Sequence, residues 1–209
     1  MKAEVRTQPE ILYMTQFALL AGMEILLCTT ALGSVALGPL SFTLGHIPVI
    51  LCAITMGKRA GVGMGLLFGF LRFLMATLSP GLVSFVFTPF YSVGEIHGNG
   101  WSLLISLLPR AMIGLVTAVT YEFLSRRLAG TGREFLVFGA AGVAGSLTNT
   151  VLVLGGIGVF FGEAYATVLG KAFFVLMAGT ILTNAIPEAV LAGMIAYAAG
   201  KPLVRYVIK

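Results

Sequence analysis

Gly145-Ser-Leu-Thr-Asn-Thr-Val-Leu-Val153 is the stretch whose reading decides the fold. It sits inside an apolar run from about Phe135 to Phe161, long enough to cross a bilayer. Three consecutive polar residues, Thr148, Asn149 and Thr150, therefore fall near the middle of a helix that spans hydrocarbon. An unpaired amide there costs roughly a few kcal/mol, so Asn149 needs a partner in the bundle or in a ligand. On a helix Gly142, Ser146, Asn149 and Val153 lie close to one face. Two readings stand: hydrogen-bonded glue between helices, or a solute site at mid-depth.

Composition supports the membrane reading. Of 209 residues, 58% are hydrophobic and 10% charged, with a mean hydropathy of +1.00. Soluble domains carry about 25% charged residues. The chain is thus expected to be an all-α integral membrane protein, a single transmembrane domain over residues 1–209. A pI near 9.5 would suggest nucleic acid in a soluble protein. Here the basic residues cluster between apolar runs, so topology explains them and no nucleic-acid partner is expected. Cys28 and Cys52 sit in apolar runs and read as small hydrophobes, not as a disulfide or a metal pair. The polar first ten residues and the long run after them argue against a cleaved signal peptide.

Six apolar runs are legible, over about 11–33, 44–56, 60–78, 101–124, 135–161 and 172–199. The second has only 13 residues and contains Pro48. It reads as a short tilted span or a re-entrant piece, and the charges favour a span. With six spans and both termini cytoplasmic, the inner side holds Lys2, Arg6, Lys58, Arg59, Arg126, Arg127, Arg133, Lys201, Arg205 and Lys209. The outer side then holds only Lys171, ten against one. The inner connections Gly57-Lys-Arg-Ala60 and Ser125 to Glu134 are short and basic. The outer ones are longer: Ser34 to Thr43 carries Gly, Pro and hydroxyls, and Ser79 to Gly100 is rich in aromatics, including Phe85, Phe87, Phe90 and Tyr91. Such a loop either packs on the bundle top or closes over a ligand. Small residues recur every four positions at Gly61, Gly65 and Gly69, and at Ala192, Ala196 and Gly200, which lets helix backbones approach. No internal repeat is visible, which disfavours an inverted-repeat carrier.

Four ionisable residues lie inside spans: Glu24, Arg72, Arg110 and Glu188. Each costs roughly 2.5–3.5 kcal/mol at the bilayer centre and should face the interior or water. Arg110 lies about 14 Å along its helix from Trp101, and Arg72 about 9 Å from the outer end of its span. Both reach the outer half of the bundle. Either they pair with glutamates such as Glu24, or one receives the carboxylate of an anionic solute, which suits a planar guanidinium. In Thr183-Asn-Ala-Ile-Pro-Glu188, Pro187 frees the Thr183 carbonyl, and Asn184 and Glu188 share a face. A kink there, opposite Asn149, would make a polar pocket. His46 precedes Ile47-Pro48 at the outer end of its span and, as a lone histidine, reads as an interfacial cap or a hydrogen-bonded neighbour in preference to a ligand. The sequence has no G-x-x-x-x-G-K-[ST], H-E-x-x-H or G-x-S-x-G, so no ATPase, metalloprotease or serine hydrolase parts are present and no metal or cofactor is expected.

Taken together, several segments resemble the substrate-binding S components of energy-coupling-factor (ECF) vitamin transporters. They are Phe42-Thr-Leu-Gly-His-Ile-Pro-Val-Ile50, Gly57-Lys-Arg-Ala-Gly61 with Gly65-Leu-Leu-Phe-Gly69, and Ser84-Phe-Val-Phe-Thr-Pro-Phe-Tyr91. Pro109-Arg110 with Gly114, Gly145-Ser-Leu-Thr-Asn-Thr150 and Asn184-Ala-Ile-Pro-Glu188 complete the set. The order and spacing cover nearly the whole chain. The pattern looks most like the pantothenate-type members, with folate, riboflavin and biotin types as alternatives. The resemblance implies capture of a vitamin from outside, then docking on a transmembrane coupling protein and two cytoplasmic ATPases. It implies a small-residue surface on the first helix for that docking, here Ala18 and Gly22. It also implies a solute site near the outer surface, which maps to Tyr91, Arg110, Asn149 and Asn184. With their neighbours, the candidate solute-contacting set is His46, Arg72, Phe90, Tyr91, Arg110, Asn149, Asn184 and Glu188. A lipid-modifying enzyme would have to rely on Glu24 and Glu188, on separate helices without ligand spacing. A stand-alone facilitator is the remaining alternative.

Overall fold

Apolar residues surround each long segment on all sides, so these helices must be covered by lipid or by one another. The computed structural model describes residues 9–30, 33–37, 40–170 and 172–206. Lys2, Arg6, Lys171 and Lys209, four of the charges in the topological count, lie outside them. Five helices are long and apolar enough to cross a membrane: α1 (Pro9–Thr29), α2 (Ile47–Leu78), α3 (Gly100–Arg127), α4 (Glu134–Leu169) and α5 (Phe173–Arg205). Two short antiparallel ladders fill the connections. β1 (Ser34–Leu37) pairs with β2 (Leu40–Thr43) in the register Ser34 to Thr43, and β3 (Ser92–Val93) pairs with β4 (Ile96–His97).

The helices begin and end where local chemistry directs. The Asn99 side chain accepts from the Trp101 N–H at 2.9 Å, and Ser102 Oγ accepts from the Asn99 N–H at 3.1 Å, a reciprocal cap for α3. Gly170, at φ +62°, ends α4 in a left-handed conformation open to glycine. In α5 the turn before Pro187 widens into a π-helical stretch, Ile181–Ala185, because proline leaves a carbonyl without its usual donor.

Where the sequence reads six runs, the structure has five long helices, because the second and third runs share α2. They are divided at Gly57, whose φ of +83° and ψ of −172° are not helical. The expected turn Gly57–Ala60 is thus one residue, with Lys58 to Ala60 already helical. A Cβ added to Gly61 would lie 2.7 Å from the Ala53 Cβ, and one on Gly45 would lie 2.8 Å from the Phe68 ring. Residues eight apart in a continuous helix stand about 12 Å apart. The chain therefore folds back at Gly57, and the two arms of α2 lie side by side.

Close glycine contacts set the register of the bundle. On the long arm of α2, Gly61 meets Gly114, Gly65 meets Arg110 and Gly69 meets Ser106 of α3. Gly145 of α4 meets Thr117 and Gly156 meets Ile105, while Gly142 meets Ala192 and Ala196 of α5. Two apolar clusters result. One, around Ile50, Met64, Ile113 and Phe138, fills the half near Gly57; the other, around Phe85, Ile105, Ile157 and Phe161, fills the half bearing the ladders. Polar residues occupy the level between them, with Arg110 between Ile105 and Ile113 on α3 and Asn149 between Ala141 and Ile157 on α4. At the Gly57 end, Lys58 pairs with Glu122 at 2.9 Å and Lys201 with Glu134 at 2.7 Å. α1 packs mainly on α2 and exposes Ile11, Met14, Leu19, Leu26 and Ala18.

The α2–α3 contact has no room for a methyl group: a Cβ on Gly114 would sit 2.1 Å from the Gly61 carbonyl oxygen. Gly114→Ala is expected to destabilise the bundle by about 1–3 kcal/mol or more, read as a lower unfolding midpoint in detergent. Gly22→Ala, with nothing within 4 Å of the new Cβ, should leave that midpoint unchanged.

Candidate functional site

Of the three consecutive polar residues on α4, two satisfy themselves. Thr148 Oγ1 donates to the Ala144 carbonyl at 2.7 Å and Thr150 Oγ1 to the Ser146 carbonyl at 3.4 Å. Asn149 does not: its Oδ1 is buried without a hydrogen-bond partner. It faces a cavity of about 130 Å³ lined by Thr43, Asn149, Thr150, Val153, Leu154, Thr180, Asn184, Ala185 and Glu188. The structure thus brings together three of the residues singled out from sequence, Asn149, Asn184 and Glu188. The π-helical stretch carries Asn184 and ends one residue before α5 resumes its ordinary turn toward Glu188. Larger hollows of about 650 Å³ exist, but the one between α2 and α3 is lined by Leu66, Leu103, Leu104, Leu107 and Trp101 on the lipid side. It offers almost no polar group to orient a solute, whereas the small cavity is mostly polar-walled.

The roof of the small cavity is tied to its wall. Glu188 Oε1 accepts from the Thr43 N–H at 2.6 Å, joining the last residue of β2 to α5 across 145 residues of chain. His46, buried one turn beyond, reaches the same Thr43 backbone and keeps Nε2 unpartnered. A charged acceptor on a backbone N–H is among the stronger hydrogen bonds, and it fixes where β2 meets the bundle.

Arg110 sits apart from that lining but at the same level. Interpolating between Thr117 opposite Gly145 and Ile105 opposite Gly156 places Arg110 across from the turn holding Asn149 and Val153. Its side chain is only 5% exposed. Nη1 donates to the Ile105 carbonyl at 2.6 Å, and Nε has no partner. The guanidinium lies 5.8 Å from the Phe68 ring centre and 5.3 Å from that of Phe87, while Arg72 lies 6.0 Å from the other partner of this stack, Phe87. Both guanidiniums therefore lie against the same ring.

The expected glutamate counter-ion is not there. Glu24 is fully buried on α1, but it accepts from the Cys28 thiol at 3.3 Å, and its Oε2 is unpartnered. Among the described residues neither membrane arginine makes an ion pair. The Glu24 carboxylate is instead engaged within its own helix, one turn along, by the Cys28 thiol. Arg110 is buried and Arg72 half-buried, both lie against the Phe87 ring, and among the described residues neither pairs with a carboxylate, so an anion could supply the missing partner.

Other expected residues are placed elsewhere. Phe90 is 76% exposed, with its ring 6.2 Å from Phe73, and Tyr91 packs half-buried on the Phe85 cluster; neither lines the cavity. Sequence reasoning missed Thr43, Thr180, Phe68 and Phe87. Phe87 stood in a stretch already marked as aromatic, but nothing in the sequence singles it out from Phe85 or Phe90.

Comparison with known proteins shows the family and the fold. A family described as "ECF transporter, substrate-specific component" matches residues 12–199. The pantothenic acid transporter PanT of Lactococcus lactis subsp. cremoris (strain MG1363) is 36% identical over 155 residues, covering 74% of this chain and 73% of that protein. A solved structure of ThiT from Listeria monocytogenes superposes with a TM-score of 0.60 at 17% identity, covering 93% of this chain and 98% of that one, which shows a shared fold.

Glu188→Ala removes the acceptor that holds β2 and is expected to destabilise the protein by about 1–3 kcal/mol. Glu188→Gln, which keeps an oxygen in place, should recover most of that loss. The check is the unfolding midpoint in detergent, together with the rate of proteolysis between residues 34 and 43.

Proposed function

Since the chain belongs to the family of substrate-specific components of ECF transporters, a multi-pass group of the bacterial plasma membrane whose relatives are transporters and not enzymes, we propose that it is the pantothenate-capturing subunit of such an importer. The observation that carries this reading is the buried Arg110, at the level of an amide-lined cavity, with half-buried Arg72 on the same Phe87 ring and, among the described residues, no acidic partner for either. Pantothenate is a monoanion with two hydroxyls and an amide. In this reading Arg110, flanked by Arg72, takes the carboxylate. Asn149 and Asn184 take the amide and hydroxyls, and the apolar Val153 and Ala185 cover the dimethyl centre. Tyr91 and Phe90 belong to the loop above and touch the solute only if that loop closes further.

Topology follows from charge. Seven described cations, Lys58, Arg59, Arg126, Arg127, Arg133, Lys201 and Arg205, belong to the Gly57 end of the helices. That end is assigned to the cytoplasm by the positive-inside rule, the arms of α2 are counted as two crossings, and both termini then face inward. The vitamin enters from the end bearing β1 and β2. The solute site itself supplies no energy. The reading therefore includes a transmembrane coupling protein and two cytoplasmic ATPases, with the exposed Ala18–Gly22 face of α1 as the docking surface.

Folate and biotin are also anionic, so the discriminating experiment is competition. The purified protein should bind labelled pantothenate, and unlabelled pantothenate should displace it while folate, biotin and riboflavin do not. Arg110→Ala should weaken binding at least about a hundredfold, the scale for removing one partner of a buried charge pair, with a monodisperse elution profile retained. Unchanged affinity would remove Arg110 from the site. Reconstituted alone in liposomes the protein should bind but not accumulate the vitamin; uptake without ATPases would instead favour a facilitator.

A further inference from the structure

The loop between α2 and α3 delivers one ring into the arginine pair. Ser84–Val86 forms a single 3-10 turn, buried throughout, with Phe85 packed edge-on against Phe161 at 5.9 Å between centres. Ser102 Oγ donates to the Phe85 carbonyl at 2.7 Å, and the Phe87 N–H donates to the Ser84 carbonyl at 2.9 Å. One residue on, Thr88 is fully buried and shares a 2.7 Å hydrogen bond with Thr77 of α2. Phe87 is thus held on both sides. Its ring lies 5.3 Å from the Arg110 guanidinium carbon and 6.0 Å from that of Arg72, within cation–π range of both.

Two like charges in a low-dielectric site push each other apart, and among the described residues no carboxylate pairs with either. A ring presented to both offers the negative charge of its π-faces to each cation, and its bulk fixes their separation. We propose that Phe87 is a positioning residue that holds Arg72 and Arg110 as a two-pronged clamp and thereby sets preference for a carboxylate over a neutral group. Phe87 acts through the arginines and need not touch the solute. The inference rests on the reading that these arginines take the carboxylate of pantothenate.

The role separates from simple packing by comparing the acid with its neutral alcohol analogue, pantothenol. Wild-type protein should bind the acid far more tightly than the alcohol. Phe87→Leu and Phe87→Met keep an apolar side chain but lose the ring. Both should weaken pantothenate about tenfold, the scale of two partly desolvated cation–π contacts, and leave pantothenol affinity within about twofold. Phe87→Tyr, which keeps the ring, should retain the wild-type ratio. Unchanged pantothenol binding also certifies that the variants are folded. Equal loss of both ligands in Leu and Met, or no loss of either, would overturn the proposal while leaving the pantothenate reading intact. Failure of the wild-type protein to bind pantothenate at all would overturn both.

Discussion

Burying positive charge without a partner is the constraint on which the arrangement of this bundle turns. A guanidinium removed from water needs compensation from carbonyls, rings or an anion. Arg110 obtains part of it from the Ile105 carbonyl and from Phe68 and Phe87, yet Nε remains unmatched and Arg72 adds a second charge nearby. The same level holds an unmatched Asn149 oxygen and an unmatched His46 nitrogen. In the proposed reading, such a belt between two apolar clusters gains its missing compensation when a small polar anion fills it. A binding subunit needs that asymmetry, because the stability missing from the free state reappears as affinity.

Everything around the belt serves to hold it at one depth. The glycines facing α3 draw the long arm of α2 close enough to fix Arg110 relative to Phe68. The fold-back at Gly57 returns the chain so that His46 and the start of α2 stand beside that arm. Gly142 against Ala192 and Ala196 sets α5 so that Asn184 and Glu188 meet Asn149. The widened turn before Pro187 then rotates Asn184 into the same hollow as Glu188. Rigid registers of small residues, not loop closure, supply most of the precision.

Much of this was legible in the sequence, and the reasons are specific. Hydropathy located every long helix, since lipid imposes a length that composition reveals. Intramembrane polar residues stand out because their cost makes them rare, so the sequence alone singles out Asn149, Asn184, Glu188 and the two arginines. The four-residue glycine spacing marks a face of close helix contact on the long arm of α2, but only the structure shows that α3 fills it. What was not legible depended on through-space partners. Nothing local says that Glu24 will be occupied by Cys28 instead of an arginine, or that Phe87 and not Phe90 faces the bundle. The β1–β2 ladder reads as plain loop in the sequence because its strands are only four residues each. Helix α4 runs eight residues past the apolar run, to Leu169, because Phe161 and the turns beyond it pack on the loop cluster above the presumed hydrocarbon level.

The central claim is that the uncompensated charge at mid-bundle is the carboxylate's seat. A determined structure of the protein with pantothenate bound tests it most directly. The account predicts a carboxylate oxygen within about 3 Å of the Arg110 guanidinium, with the hydroxyl-bearing end against Asn149 and Asn184. A vitamin lying wholly among Thr43, Asn149 and Glu188, with Arg110 and Arg72 left in their present ring stack or paired with Glu24, would contradict it.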